Sequence, residues 1–283
     1  MSLGRRGVRL DDSTRWVFNR MADVYDARPD YPAALIEVIA SLADSVAAKE
    51  TTGSATVRGC ITEIGAGIGH IAVPLASLGF DVSAVEPAIE MLQRLRAVAN
   101  ERGVVVNALH ASAEALPIAD GTQDLAIVAD ALHFLDAERT GREIARVLTK
   151  TGAFALITCE LADTPYMREV VSIMEDAVPR RPRPLAQNVV QVSAMIGVEL
   201  SPEQRFADET VVDHQTLERI LRSISFIGPA MNPARFAAFR ERVHAIPGQP
   251  RWARAFTLRT GQRRPSRRAQ LRAARDEARL ASR

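Results

Sequence analysis

Short apolar runs bounded by polar turns recur through the middle of the chain, and the stretches between them carry helical spacing. Cys60-Ile61-Thr62, Asp81-Val82-Ser83-Ala84-Val85, Val104-Val105-Val106, Leu125-Ala126-Ile127-Val128-Ala129 and Phe154-Ala155-Leu156-Ile157-Thr158 read as five strands. Their near-continuous apolar character suits strands covered on both faces. Residues 70–78, 88–100 and 137–148 read as the helices between them. Strand and helix in alternation predict a parallel sheet with crossover helices, an α/β doubly wound, Rossmann-like fold.

The flanks are less regular. Residues 12–27 have helical spacing, with Trp16, Val17, Met21 and Val24 on one side, until Arg28-Pro29-Asp30-Tyr31-Pro32 breaks it. Residues 33–48 read as an amphipathic helix with Leu35, Ile36, Ile39, Leu42 and Val46 inward, and Thr51-Thr52-Gly53-Ser54 as a linker. After the fifth strand, 165–178 looks helical and stops at Pro179-Arg180-Arg181-Pro182-Arg183-Pro184. A mixed stretch to Leu200 follows, then helices at 210–223 and 233–244 and a closing strand at 252–258. The expected organisation is a helical cover (1–56), a binding core (57–160), an insertion or lid on the substrate side (161–209), the rest of the core (210–260) and a basic tail (261–283).

Composition narrows the functional classes. Hydrophobic residues make up 47% of the 283 and aromatics only 5%, so Ala, Val, Leu and Ile must fill the core. No apolar run approaches the roughly 20 residues of a membrane span. The first residues, with Arg5, Arg6 and Arg9, lack an apolar signal core, and two cysteines make no disulfide framework. A cytoplasmic protein without membrane contact is therefore expected. Eight arginines from Arg263 onward against Asp276 and Glu277 leave residues 1–262 at a net −4, a poor polyanion binder. The tail fits RNA contact or, more simply, a solvated terminus. The histidines show no ligand spacing with Cys60 or Cys159, so no metal site is expected.

The richest chemistry lies at Glu63-Ile64-Gly65-Ala66-Gly67-Ile68-Gly69-His70. Strand, glycine turn and helix cradle a nucleotide, because missing Cβ atoms let backbone and ligand approach. Dinucleotide dehydrogenases also use such a turn, but as G-x-G-x-x-G; here His70 stands where their third glycine falls. Glu86 ends the second strand, 17 residues after Gly69, at the sheet edge where a carboxylate accepts ribose hydroxyls in either class.

The pattern E-x-G-x-G-x-G resembles motif I of the class I methyltransferases that use S-adenosylmethionine. Further stretches are similar to their small-molecule, type 11 branch: Tyr25-Asp26-Ala27-Arg28-Pro29-Asp30-Tyr31-Pro32, the segment Ser112-Ala113-Glu114-Ala115-Leu116-Pro117 running on to Asp124, Asp130-Ala131-Leu132-His133-Phe134, and Arg146-Val147-Leu148 before strand five. The resemblance covers about residues 16–258 and implies a seven-stranded sheet with its last strand antiparallel. It implies that Glu63 faces the ammonium of S-adenosylmethionine across Gly65, Ala66, Gly67 and Gly69. Glu86 and Pro87 would hold the ribose, and Met91, Ser112, Ala113 and Glu114 the adenine. Tyr25, Arg28 and Ala129 would meet the methionyl end. Ser112 departs from the family's usual Asp.

Asp130 and His133, at the end of strand four, are the candidate catalytic groups. His133 suits a general base; a histidine that shapes the pocket without moving a proton fits the same position, since sulfonium displacement needs little beyond alignment. The acceptor is expected to be a small apolar molecule, such as a secondary-metabolite intermediate, met by the Val- and Met-rich stretch 189–196. The N-terminal arm, residues 1–20, is placed to pair two subunits. Three alternatives stay open: an RNA or tRNA methyltransferase using the basic tail, a binding protein that no longer transfers methyl, and a nicotinamide oxidoreductase.

Overall fold

The computed structural model describes residues 17–50, 58–179 and 184–263. Seven strands form one sheet: β1 (Cys60–Ile64), β2 (Asp81–Glu86), β3 (Asn107–His110), β4 (Gln123–Ala129), β5 (Leu148–Leu161), β6 (Gln204–Val211) and β7 (Arg251–Gln262). Their order is β3-β2-β1-β4-β5-β7-β6. The first five run parallel, and β7 lies antiparallel to both β5 and β6. Strand order reverses between β1 and β4, and sheets of this type bind ligands in the crevice at that switch.

Period-two alternation sends side chains to opposite faces. Leu125 and Ile127 of β4 and Ala153, Ala155 and Ile157 of β5 pack under α1 (Ala33–Glu50) and α2 (Ala72–Ser77). Ala126, Val128, Phe154 and Leu156 point the other way, toward α4 (Ala137–Val147) and α6 (Leu185–Ile196). Between β2 and β3 runs α3 (Ile89–Glu101). A separate core joins α5 (Pro165–Ala177), α7 (His214–Arg222) and α8 (Pro233–His244) around Trp252 and Ala253. The caps follow from sequence: Thr164, Asp213 and Asn232 each accept a backbone N–H of the first turn, and Pro165 and Pro233 open their helices.

Several expected boundaries are corrected. In place of a continuous helix over 12–27, the described part from Val17 holds one short helical turn and a 3-10 turn at Tyr25–Ala27; residues 1–16 lie outside the described residues. Val104–Val106 is a connection, with Val105 90% exposed, and the third strand begins at Asn107, where backbone register with Ser83 starts. The mixed stretch 185–200 contains α6, closed by Gly197 in the left-handed conformation. Thr210 and Val211 belong to an unforeseen strand, β6, and helix α7 starts only at His214. The closing strand extends past Leu258 to Gln262, so the basic tail starts later than expected; residues 264–283 lie outside the described residues.

Two motifs act as fasteners. Arg146 donates to the carbonyls of Leu116 and Ile118 and to Asp120 and Glu143, while Glu143 accepts the N–H of Leu116 at 2.8 Å. That network pins the 116–120 turn to α4. Asp124 accepts the N–H of Cys60 at 2.8 Å and so ties the starts of β4 and β1.

Candidate active site

A cleft of about 980 Å³, counting its open mouth, lies over the carboxyl ends of β1, β2 and β4. Its floor is the glycine turn. Gly65 and Ala66 donate to Val85 O at 2.8 and 3.1 Å, which binds the turn to the end of β2. Gly67, at φ +55°, lets its N–H reach Glu86 Oε2 at 2.9 Å, and a Cβ there would stand 3.8 Å from the Tyr25 ring.

Two buried acids face this space. Glu63, 3% exposed, accepts Ala72 N–H on Oε2 at 2.8 Å, leaving Oε1 for the cleft. Burial pushes its carboxyl up to about 8, against the pull of that N–H, and the charge of Glu86 adds to the rise. Glu86 accepts Gly67 on one oxygen and Ala88 N–H at 2.8 Å on the other. Burial raises it to about 7. Each carboxylate oxygen has a second lone pair, so Glu86 can still accept ligand hydroxyls.

The opposite wall is the strap, residues 17–32. Phe18, Tyr25, Arg28 and Tyr31 line the cleft, and burial raises both tyrosine hydroxyls. Arg28 lies over the Tyr25 ring at 4.3 Å, donates Nε to Ser223 Oγ at 2.7 Å and NH2 to Ser223 O at 2.7 Å. Asp26 pairs with Arg94 and Arg219, and Asp30 with His70 and Arg102. Arg254 donates to the carbonyls of Pro29 and Asp30 and to Asp208. Every charged residue of the Tyr25–Pro32 motif is thus a fastening to α3, α7 or the glycine turn.

Of the expected cofactor residues, Tyr25, Arg28, Glu63, Gly65, Ala66 and Gly67 meet at the cleft, as do Glu86, Pro87, Met91, Ala113 and Ala129. Four expected residues do not line it. A Cβ on Gly69 would come within 2.8 Å of Val73 and 3.0 Å of Leu95, so this glycine serves helix packing under the turn. Ala111 and Ala113 face the cleft, and the alternating Ser112 and Glu114 face away; Glu114 accepts the N–H of Asp136 at the start of α4. His133 sits in the 3-10 turn Leu132–Phe134. Three residues per turn put Ala131 and Phe134 on one face, and these two line the cleft while the His133 ring packs 4.0 Å from Phe134. His133 itself is not among the residues that line the cleft.

Asp130 does line the cleft, and among the described non-glycine residues it alone has positive φ, +47°. Its N–H donates to Ile157 O at 2.9 Å, fixing the bend at the end of β4. Sequence reading missed the roles of Phe18, Tyr31, His70 and Leu135 in the wall. Phe18 and Phe134 meet edge to face at 5.2 Å across residues far apart in the chain, which no local pattern announces. The Val- and Met-rich stretch 189–196 is also corrected: it packs on α4 behind the sheet and does not reach the cleft.

A family model described as methyltransferase domain matches residues 62–156, from inside β1 to inside β5. Over that span the chain is similar to the class I S-adenosylmethionine-dependent methyltransferases. It is 38% identical over 97 residues to the uncharacterized methyltransferase Rv3342 of Mycobacterium tuberculosis, covering 34% of this chain and 38% of that one. With the uncharacterized methyltransferase YcgJ of Bacillus subtilis it shares 32% over 114 residues, 40% and 45% of the two chains. The chain thus spans less than half the length of the curated relatives it matches. In fold it is similar to the crystal structure of YcgJ, with a TM-score of 0.51 and 21% identity over 78% of this chain and 98% of that one. A candidate type II methyltransferase from Anaeromyxobacter dehalogenans gives a TM-score of 0.58 and 19% identity over 84% and 99%.

The cofactor that the methyltransferase-domain match implies is S-adenosylmethionine. The residues fit it. Glu86 stands where a vicinal diol can be accepted, Glu63 offers a buried carboxylate to an ammonium, and Met91 and Ala113 give an apolar slot for a base. Two raised acids in one cleft also suit a cationic ligand, whose charge would restore their ionised forms.

Proposed function

We propose that this chain transfers a methyl group to a small, largely apolar acceptor. The observation that carries this reading is the wall beside Asp130: Phe18, Phe134, Leu135 and Tyr31 surround the end of β4 with apolar surface at the same cleft that holds the two acids. S-adenosylmethionine supplies an electrophilic methyl carried on a sulfonium. Glu63 holds the ammonium, Glu86 the ribose hydroxyls and Met91 the base, so alignment is set by side chains that are themselves fixed by backbone bonds. The strap and the aromatic pair Phe18–Phe134 keep water from the reacting end. Asp130 orients the acceptor and takes up its proton.

A small acceptor also accords with the net negative body of the chain, which disfavours RNA. No helix among the described residues is long and apolar enough to cross a membrane, and the two free cysteines fit a reducing, cytoplasmic setting. Pairing of subunits through the N-terminal arm concerns residues that mostly lie outside the described ones. The test is calorimetric titration of S-adenosylmethionine and S-adenosylhomocysteine, then a methyl-transfer screen comparing apolar small molecules with RNA. Micromolar binding with turnover on an apolar molecule supports the proposal. Turnover on RNA alone, or binding without turnover across the panel, overturns it.

A further inference from the structure

His70 follows the third glycine of the turn, and its ring forms part of the cleft wall. Nδ1 stands 3.0 Å from Asp30 Oδ1. The His70 bond, with Arg102 assisting, holds the Asp30 carboxyl down at about 2, so it is ionised throughout the working range. An ionised carboxylate only accepts, which places a proton on Nδ1. Nε2 is the remaining ring atom. It is buried and has no hydrogen-bond partner among the described residues. Buried polar atoms are normally paired, so an orphan in a ligand cleft asks for a ligand atom.

The neighbours say which one. The Tyr25 ring centroid lies 6.2 Å from that of His70, and Tyr25 in turn covers Gly67. This is the glycine-turn end of the cleft, where Glu63 already offers an acceptor. Arg28, the cation on the opposite wall, is drawn to Ser223 by Nε and NH2 and to the Tyr25 hydroxyl by NH1. A ligand end bearing both an ammonium and a carboxylate needs an acceptor and a donor close together. Glu63 is the acceptor, and an imidazolium held by Asp30 is a donor on the same turn.

We propose that His70, protonated on both ring nitrogens between the Asp30 carboxylate and the ligand, receives the carboxylate of the cofactor's amino-acid end through Nε2–H, with Asp30 as the positioning residue behind it. This rests on S-adenosylmethionine as the occupant of the cleft. Because Asp30 belongs to the strap, the same bond joins ligand binding to the seating of the strap on the glycine turn.

Two ligands separate the parts. S-adenosylhomocysteine carries the amino-acid end, and 5′-methylthioadenosine lacks it. By calorimetry, His70→Phe should weaken S-adenosylhomocysteine about 10–100-fold, the scale of a charge-assisted bond, and leave 5′-methylthioadenosine within about twofold. His70→Gln, which keeps an N–H donor, should recover part of the loss, and Asp30→Asn should give a smaller loss for the same ligand only. Retained 5′-methylthioadenosine binding certifies that each variant is folded. Equal weakening of both ligands, or of neither, overturns the assignment. Wild-type protein that binds neither ligand overturns the cofactor reading itself, and this proposal with it.

Discussion

The two walls of the cleft are held in different ways. The sheet-edge wall is fixed by short bonds from buried carboxylates to backbone N–H groups: Glu63 to Ala72, and Glu86 to Gly67 and Ala88. The strap wall is fixed by exposed ion pairs, Asp26 with Arg94 and Arg219 and Asp30 with Arg102, whose side chains are 32–52% exposed, together with bonds from buried Arg254 to Pro29 and Asp30 and from Arg28 to Ser223. Exposed pairs contribute about 0–1 kcal/mol each and weaken as salt rises. One wall is therefore a rigid template, and the other a cover whose outer fastenings are salt-sensitive.

The largest expected effect concerns the template. Both acids have folded values above the 4.5 of a free carboxyl, so the folded ligand-free protein binds more protons than the unfolded chain. The stability they contribute is complete below about pH 4.5 and is lost as pH rises through about 7 to 8, on the order of a few kcal/mol together. Denaturant midpoints from pH 5 to 8 measure it, and stability that climbed over this range would mean that both acids are ionised in the empty cleft. Next, Glu86→Ala should cut S-adenosylmethionine affinity about 100-fold, since it removes a charge-assisted acceptor and frees Gly67. Affinity within threefold of wild type would break the template picture.

Gly141→Ala probes stability away from either wall. A Cβ there would meet Met195 Cβ at 2.6 Å, where α6 crosses α4. A cost of about 1–3 kcal/mol with unchanged cofactor affinity is expected, and altered affinity would show that the back of the sheet shapes the cleft. The smallest effect belongs to the cover. Arg102→Ala should lower stability by under about 1 kcal/mol, while cofactor dissociation quickens severalfold; stopped-flow traces at low and high salt should converge as screening removes what the pair contributed.

What could be read in the sequence followed the same division. Glu63, Gly65, Gly67 and Glu86 belong to one βαβ unit and Met91 to the helix that follows it, so their spacing is local and a linear pattern revealed them. The strap's ends were legible, as Tyr25 and Arg28, but its partners Arg94, Arg102, Ser223 and Arg254 lie 68 to 225 residues away, and charges carry no periodic signature. Strand β6 escaped because Gln204-Arg205-Phe206-Ala207-Asp208-Glu209 is an exposed edge with only Phe206 turned to the core. Helix α6 was obscured by Val189, Val190 and Val192; the strand preference of Val189 and Val192 yields to packing against α4 around Gly141, while Val190 stays exposed. His133 sits in the 3-10 turn Leu132–Phe134, where Ala131 and Phe134 are the residues that line the cleft, and residue type alone does not announce such a turn.

Asp130 limits how this site can diversify. At φ +47°, only glycine, asparagine and aspartate hold the bend at modest cost. A saturation library at this position should sort first by backbone, with β-branched members lost to misfolding before any acceptor is tried. New acceptors would then have to be gained at Phe18, Phe134 or Leu135, so substrate range can drift through the aromatic wall while the corner carrying the acid stays nearly invariant.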